Sequence, residues 1–307
     1  MANYLITVVG ATAIGKTALS IKLAQHFTAE IISCDSRQFF KEMRIGTAVP
    51  SEEELNAAKH HFIQHISIFD TYNVGQFERD AIAKLDALFA QHNIVIMVGG
   101  SGLYVDAVTK GLDDFPKVDP KIRASLNQQL QEKGIAFLQA QLLALDPLHY
   151  ERVALENPHR LIRALEICIG TGKPYSSFLK TTEVKRNFTT IKVGLTAERP
   201  IMYDRINRRV ELMMQEGLLE EVKALYAHRE LNALKTVGYR ELFDYLDGKI
   251  SLDVAVSEIQ KNTRRFAKRQ VTWFKRDENT LWFDYEEDVQ HIIEKIDTSI
   301  GSVSSKE

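Results

Sequence analysis

Eight consecutive residues, Gly10-Ala11-Thr12-Ala13-Ile14-Gly15-Lys16-Thr17, constrain this chain more than any other stretch. They follow an apolar run, Tyr4 to Val9, and open a helical pattern through Leu19, Leu23 and Ala24. A strand, a glycine-bounded loop and Lys-Thr at a helix start are the context in which this spacing makes a phosphate cradle. Successive backbone N–H groups and the positive end of the helix dipole point at one spot and favour an anion there. Lys16 adds a mobile positive charge, and the Thr17 hydroxyl can hold Mg²⁺. Taken alone, the loop reads as nucleotide-binding, and as ATP-binding if the chain is a kinase.

The chain around the loop alternates strand and helix. Glu30 to Cys34 reads as a short strand ending at Asp35-Ser36-Arg37-Gln38, and a third strand is expected near His61 to Ile66. A helix is expected from about Gln76 to Gln91, with Phe77, Ile82, Leu85 and Phe89 on one face. Ile94 to Val98 is a near-continuous apolar run, the signature of a buried parallel strand, and it ends in Gly99-Gly100-Ser101-Gly102. This order predicts an α/β fold: P-loop-containing, with a doubly wound, mainly parallel sheet. In such sheets ligands bind outside the carboxyl ends of the strands, where Gly10–Thr17, Asp35–Gln38 and Gly99–Gly102 would meet.

Near Asp114-Phe115-Pro116 the texture changes. From Asp119 to Ile169 only helical periodicity is visible, stopped by Gly170-Thr171-Gly172-Lys173-Pro174. Strand character returns at Thr189 to Thr196, so the helical stretch reads as an inserted all-helical subdomain. The expected division is 1–115 as the first part of the core and 116–185 as the insertion. Residues 186–300 would form the second part of the core, and 301–307 a disordered tail. Within 186–300, helices are expected over Pro200 to Gly217 and about Asp253 to Lys275, and a last strand over Thr280 to Tyr285. No apolar run approaches the length of a membrane span. Cys34 and Cys168 lie far apart without C-x-x-C spacing, which points to a reducing cytoplasm and away from a disulfide scaffold or zinc site.

Charge is distributed unevenly. The net charge of -2 argues against wholesale coating of nucleic acid. Yet Lys261, Arg264, Arg265, Lys268, Arg269, Lys275 and Arg276 fall within one helix-sized stretch that has no acid, interleaved with Phe266, Trp273 and Phe274. That stretch reads as a phosphate-facing patch, against the blander alternative of a solvated face. Arg160 and Arg163 share a helix face, and their spacing leaves open whether they meet phosphate or pair with Glu156 or Glu166. His60, His61 and His65 lack a metal-binding pattern and read as core or surface residues. Asp35, at a strand end beside the phosphate loop, reads as a carboxylate facing the reaction centre. The Ile94–Val98 strand ends in glycines where an ordinary P-loop ATPase carries a metal-holding acid.

Seven motifs then fall in the order and spacing of one family: Gly10–Thr17, Asp35–Gln38, Ile45-Gly46-Thr47-Ala48, Gly99-Gly100-Ser101-Gly102-Leu103-Tyr104, Arg160 to Glu166, Val237-Gly238-Tyr239-Arg240-Glu241, and Thr263 to Trp273. In these the chain resembles the bacterial tRNA dimethylallyltransferases, or tRNA isopentenyltransferases, from about Ile6 to Phe274. The resemblance implies transfer of a dimethylallyl group from its diphosphate to N6 of the adenosine 3′ of the anticodon. It implies that Gly10, Ala11, Thr12, Ala13, Ile14, Gly15, Lys16 and Thr17 hold the diphosphate leaving group, with Mg²⁺ held partly by Thr17. An arginine from Arg205, Arg208 or Arg209, with Arg209 preferred, would neutralise the departing charge.

By the same resemblance Asp35 is the general base, and Ser101, Lys16 and Thr17 share the catalytic work. Asp35, Ser36, Arg37, Gln38, Ser101, Arg123, His159, Arg160, Leu161, Ile162 and Arg163 would be tRNA-contacting positions. The helical insertion would hold the anticodon stem-loop, and a monomer is the family expectation. Four positions depart from the family pattern: Ala11 stands for Pro, Ile14 for Ser, Ser101 for Thr and His159 for Gln. The alternatives are an ATP-dependent small-molecule kinase, prenyl transfer to free adenine nucleotide, and a non-catalytic RNA-binding P-loop protein.

Overall fold

The computed structural model describes residues 2–179 and 184–304. The chain divides into two compact units, Met1–Lys110 with Lys185–Glu307, and Gly111–Val184. The first unit begins β1 (Tyr4–Gly10), α1 (Lys16–Phe27), β2 (Ile31–Ser33), α2 (Glu52–Ala57), β3 (His60–His61), α3 (Val74–Phe89), β4 (Ile94–Val98) and α4 (Gly102–Lys110). The second unit holds α5 (Pro120–Lys133), α6 (Ile135–Leu145), α7 (Pro147–Tyr150) and α8 (Pro158–Thr171). The chain then completes the first unit with β5 (Thr189–Thr196), α9 (Arg199–Gln215), α10 (Leu218–Leu225), α11 (Tyr239–Leu246), α12 (Leu252–Phe274), β6 (Leu281–Asp284) and α13 (Val289–Ser304).

The six strands lie in the order β3-β2-β4-β1-β5-β6, and every pairing is parallel. Successive side chains of a strand point to opposite faces, so β1 feeds two cores. Tyr4, Ile6 and Val8 pack with α1 and α13 through Leu19, Leu23, Ile292 and Ile296. Leu5 and Val9 pack on the other face with Phe77, Leu85, Val105 and Phe274 from α3, α4 and α12. Helices on both faces of a parallel sheet make the doubly wound α/β fold. A third cluster joins α9 to α12 through Val210, Leu218, Tyr239, Leu242 and Ile259 to Phe40 and Met43.

Two expectations are corrected. The strand expected over His61 to Ile66 stops at His61, beyond which only an isolated Phe40–Ile66 bridge remains. Phe62 (φ 63°) and Gln64 (φ 45°) take left-handed conformations that break an extended run. The tail expected from 301 is helical as far as 304, because α13 carries that segment on from its anchored isoleucines; residues 305–307 lie outside the described residues. Within the second unit, Leu126, Leu138, Leu142, Leu161 and Leu165 form a separate core from α5, α6 and α8. Among the described residues no helix is long and apolar enough to cross a membrane.

Ile296 is fully buried on α13. Ile296→Ala should lower the stability of the first unit by about 2–5 kcal/mol in urea unfolding. An unchanged midpoint would mean that α13 is not part of this core.

Candidate active site at the phosphate loop

The loop between β1 and α1 is built to present backbone donors. Helix α1 starts at Lys16 behind Gly15 (φ 109°), with no side chain capping its first turn, so those N–H groups are left for an anion. Ala13, at φ 61°, is a non-glycine residue in left-handed space, a conformation that surrounding contacts must enforce. Three contacts do so: Lys16 Nζ donates to Ala11 O at 2.7 Å, Arg205 Nε to Ala13 O at 2.9 Å, and the Thr12 N–H to Gln270 Oε1 at 2.9 Å. Ala11 and Ile14 bury their side chains in the core. Ile14 also borders one of the cavities at the loop.

Strand order brings the other two loops alongside, because β2, β4 and β1 are neighbours and run parallel. Asp35 Oδ1 accepts the Arg37 N–H at 3.1 Å, which fixes the carboxylate in a local turn. The Ser36 N–H donates to Ser101 Oγ at 3.2 Å, and the two hydroxyls are also 3.2 Å apart. Ser101 thus ties the β4 turn to the β2 turn. Gln38 acts as a brace within the site: Nε2 donates to Ala48 O at 2.8 Å, and Oε1 accepts from Ser33 Oγ at 3.2 Å. Arg37 Nη1 donates to Ala233 O at 3.0 Å.

The 44–48 segment is held by a residue with no obvious sequence signal. Glu221 on α10 accepts the N–H groups of Arg44, Ile45 and Gly46 at 2.8–3.0 Å, and the Tyr239 hydroxyl at 2.6 Å. Burial and the adjoining carboxylate keep that phenol protonated. Glu241 Oε2 accepts the Gly238 N–H and its Oε1 accepts from Asn262 Nδ2, joining α11 to α12. These two motifs brace the site.

Three cavities surround the loop. The smallest, about 50 Å³, is lined by Thr12, Lys16, Thr17, Asp35 and Arg209 among others. A larger one, about 450 Å³, is lined by Asp35, Ser101, Tyr104, Arg269 and Trp273 and also by Val210, Met213, Leu218 and Ile259. The third, about 540 Å³, lies between the loop and α9 and reaches Arg205, Arg208 and Arg209. Arg209 borders all three. Arg208 is largely exposed and paired with Asp204 at 2.9 Å, so the structure separates the three arginines. Burial pushes the Lys16 ammonium down to about 8, with Arg209 adding to the shift and Asp35 opposing it.

The long basic helix divides by face. Lys261 pairs with Glu258, and Arg264 Nη1 donates to Asn207 Oδ1 at 2.6 Å. Arg265, Lys268, Lys275 and Arg276 are exposed. Gln270 lies on the buried stripe between Ala267 and Phe274, and a polar residue at that spacing was the signal for it.

In the second unit, Glu166 is nearly buried and grips two arginines. Arg123 reaches it with Nε at 2.5 Å and Nη2 at 2.9 Å, and Arg163 with Nη1 at 2.5 Å. Arg163 also lies over the Phe115 ring, 5.0 Å from its centroid. His159 and Arg160 are exposed on the first turn of α8. Leu161 and Ile162 belong to the core, which removes their side chains from the expected RNA-contacting set.

A parallel, doubly wound sheet with a phosphate loop after its first strand, and an aspartate and a glycine turn beside it, defines a P-loop α/β protein. A family model described as IPP transferase matches residues 38–277, and the chain belongs to that family. The tRNA dimethylallyltransferase of Christiangramia forsetii is 61% identical over 302 residues, covering 98% of this chain and 100% of the relative. The full-length tRNA isopentenylpyrophosphate transferase of Bacillus halodurans superposes with a TM-score of 0.71 at 36% identity, over 98% of this chain and 96% of that one. A eukaryotic dimethylallyltransferase solved acting on tRNA gives a TM-score of 0.78 at 25% identity, over 92% and 74%.

The lowered Lys16 value has a signed consequence. Below about 8 the ammonium is charged in both folded and unfolded chain, and the full burial penalty applies. Between about 8 and its ordinary 10.5 the folded state binds fewer protons, so stability of the free protein rises with pH. A bound diphosphate favours the charged form, so its binding takes up a proton in that window. Affinity for an organic diphosphate should fall above pH 8, by up to ~10-fold per pH unit. Calorimetric titration across pH 7–10 measures this, and Lys16→Arg should flatten the profile. A flat wild-type profile would contradict the assignment.

Proposed function

We propose that this chain transfers a dimethylallyl group from dimethylallyl diphosphate to N6 of the adenosine 3′-adjacent to the anticodon, tRNA position 37. The products are N6-isopentenyladenosine and diphosphate. Besides family membership, one observation carries the reading. Asp35 borders both the small cavity at the phosphate loop and the larger one beside it. A base there reaches a nucleophile in the large cavity while the leaving group sits in the small one.

The adenine amine is a poor nucleophile because its lone pair is delocalised into the ring. In the proposed step N6 attacks the allylic C1, the C1–O bond breaks, and diphosphate leaves with the bonding electrons. The N6 proton passes to the Asp35 carboxylate, a contribution of ~10²–10⁴-fold. Loop N–H groups, Lys16 and Arg209 meet the charge that develops on the leaving oxygen. Val210, Met213, Leu218 and Ile259 in the lining of the larger cavity suit the five-carbon chain. The target base must leave the anticodon-loop stack to reach the site, and extrusion from a single-stranded loop is cheap.

Magnesium fits the oxygen donors present. The Thr17 hydroxyl and Asp35 carboxylate border one cavity, and among the described residues no cluster of three or more His, Cys, Asp or Glu offers an all-protein site. A hard cation held by Thr17 would complete its shell with diphosphate oxygens. When bound, it would neutralise leaving-group charge. Arg160, Arg163 and Arg123 supply positive charge for the anticodon stem-loop, and His159 a ring that can hydrogen-bond it. The reading takes the protein as a monomer that acts in the cytoplasm, where its proposed tRNA substrate is found.

Labelled dimethylallyl diphosphate with bulk tRNA or with AMP tests the reading: label should enter tRNA. Label in AMP would support a free nucleotide acceptor, and ATP turnover without label transfer a kinase. Asp35→Asn should slow single-turnover transfer by ~10²-fold or more with tRNA affinity within twofold; wild-type turnover would exclude Asp35 as the base. Separately, Arg160→Ala with Arg163→Ala should weaken tRNA binding and reduce its salt slope by about 2. An unaltered slope would leave both arginines without an RNA role.

A further inference from the structure

Gln270 is a nearly buried side chain that none of the roles above accounts for. Its amide is used at both ends: Oε1 accepts the Thr12 N–H at 2.9 Å, and Nε2 donates to Gly100 O at 2.9 Å. An N–H can only donate and a carbonyl can only accept, so the two partners fix which way the amide faces. They also explain the residue type. A glutamate would set a carboxylate oxygen against the Gly100 carbonyl, and an apolar side chain would take these partners from the buried Gly100 carbonyl and the part-buried Thr12 N–H. Gly100 shares the constraint, since a Cβ there would lie 2.1 Å from Gln270 Nε2.

The two tethered points belong to different parts of the site. Thr12 lies in the phosphate loop. Gly100 precedes Ser101, whose hydroxyl is bonded to Ser36 beside Asp35. The loop also needs a constraint that survives ligand binding. Lys16 gives one of its three ammonium donors to Ala11 O, a contact for which a diphosphate oxygen competes. The strained Ala13 then depends on the remaining ties.

We propose that Gln270 is a positioning residue that sets the separation between the diphosphate holder and the Asp35–Ser101 side, and so couples the two substrates. It rests on the prenyl-transfer reading and adds to it a residue that borders the larger cavity with both ends of its amide taken up by the two loops. Its amide bridges two loops that follow different strands, and α12 supplies the rigid mount. The clasp holds the loop amides in place when Lys16 turns to the leaving group, and keeps the allylic carbon in line with N6.

The test is a cycle of variants read by diphosphate affinity, tRNA affinity, single-turnover transfer and thermal unfolding. Gln270→Leu should slow transfer by about tenfold or more, since small misplacements of reacting groups have effects of that order, while tRNA affinity stays within twofold. Gln270→Glu keeps the acceptor for Thr12 and should be slowed comparably, by repulsion at Gly100. Gly100→Ala should reproduce the defect by expelling the amide. Gly100→Ala with Gln270→Ala should be no slower than Gln270→Ala alone, because the added methyl then meets no amide.

Wild-type transfer in Gln270→Leu would overturn the proposal. So would multiplicative losses in the double variant, or rates that merely follow the folded fraction. If the wild-type protein moves no label to tRNA, the prenyl-transfer reading fails instead. The coupling is then read from inorganic diphosphate affinity across the same cycle, where non-additive losses support the clasp and additive ones reject it.

Discussion

Three strands, β2, β4 and β1, lie side by side and parallel, and the rest of the molecule depends on that arrangement. Parallel strands all end at the same edge, so the segments that follow them must crowd together there. One brings the phosphate loop, one brings Asp35 to Gln38, and one brings the Gly99–Gly102 turn. Any other order would scatter the same residues. The two-sided cores drawn from β1 hold the strands in that order, since helices on both faces leave no open side on which to rearrange.

Much of what surrounds these loops serves to fix them. Glu221 and Gln270 satisfy backbone groups from distant parts of the chain, and Gln38 and Glu241 groups nearer in sequence. A carboxylate that accepts three N–H groups and a phenol gives a loop one conformation at the expense of others. The charged groups are arranged oppositely. Lys16 is half-buried at the loop, where desolvation lowers its ammonium, Arg209 adds to that shift and Asp35 opposes it. The four braces find their partners within the protein, while Lys16 and Arg209 bring positive charge to the cavities at the loop.

The two arginines of the second unit show why spacing alone left their role open. Arg163 does pair with Glu166, as a surface ion pair would. But Arg123 shares the same carboxylate, so two guanidiniums are held by one buried anion and a net positive charge remains. Leu161 and Ile162 sit between exposed Arg160 and half-buried Arg163 in sequence, yet turn inward, because helical periodicity places them on the core face.

The sequence by itself determined the parallel α/β fold, the phosphate loop, the neighbouring turns and the helical insertion. Each of these is written in local order: apolar runs, glycine punctuation and helix starts. It did not determine which of Arg205, Arg208 and Arg209 borders all three cavities, that Ile14 is core, or that α13 completes the first unit. Nor did it reveal Glu221 and Gln270 as braces, although Gln270 interrupts an apolar stripe. Those outcomes depend on which side chains meet across separations such as the 258 residues between Thr12 and Gln270. Hydrogen-bond partners that distant leave no periodic trace, and only the folded chain brings donor and acceptor within reach.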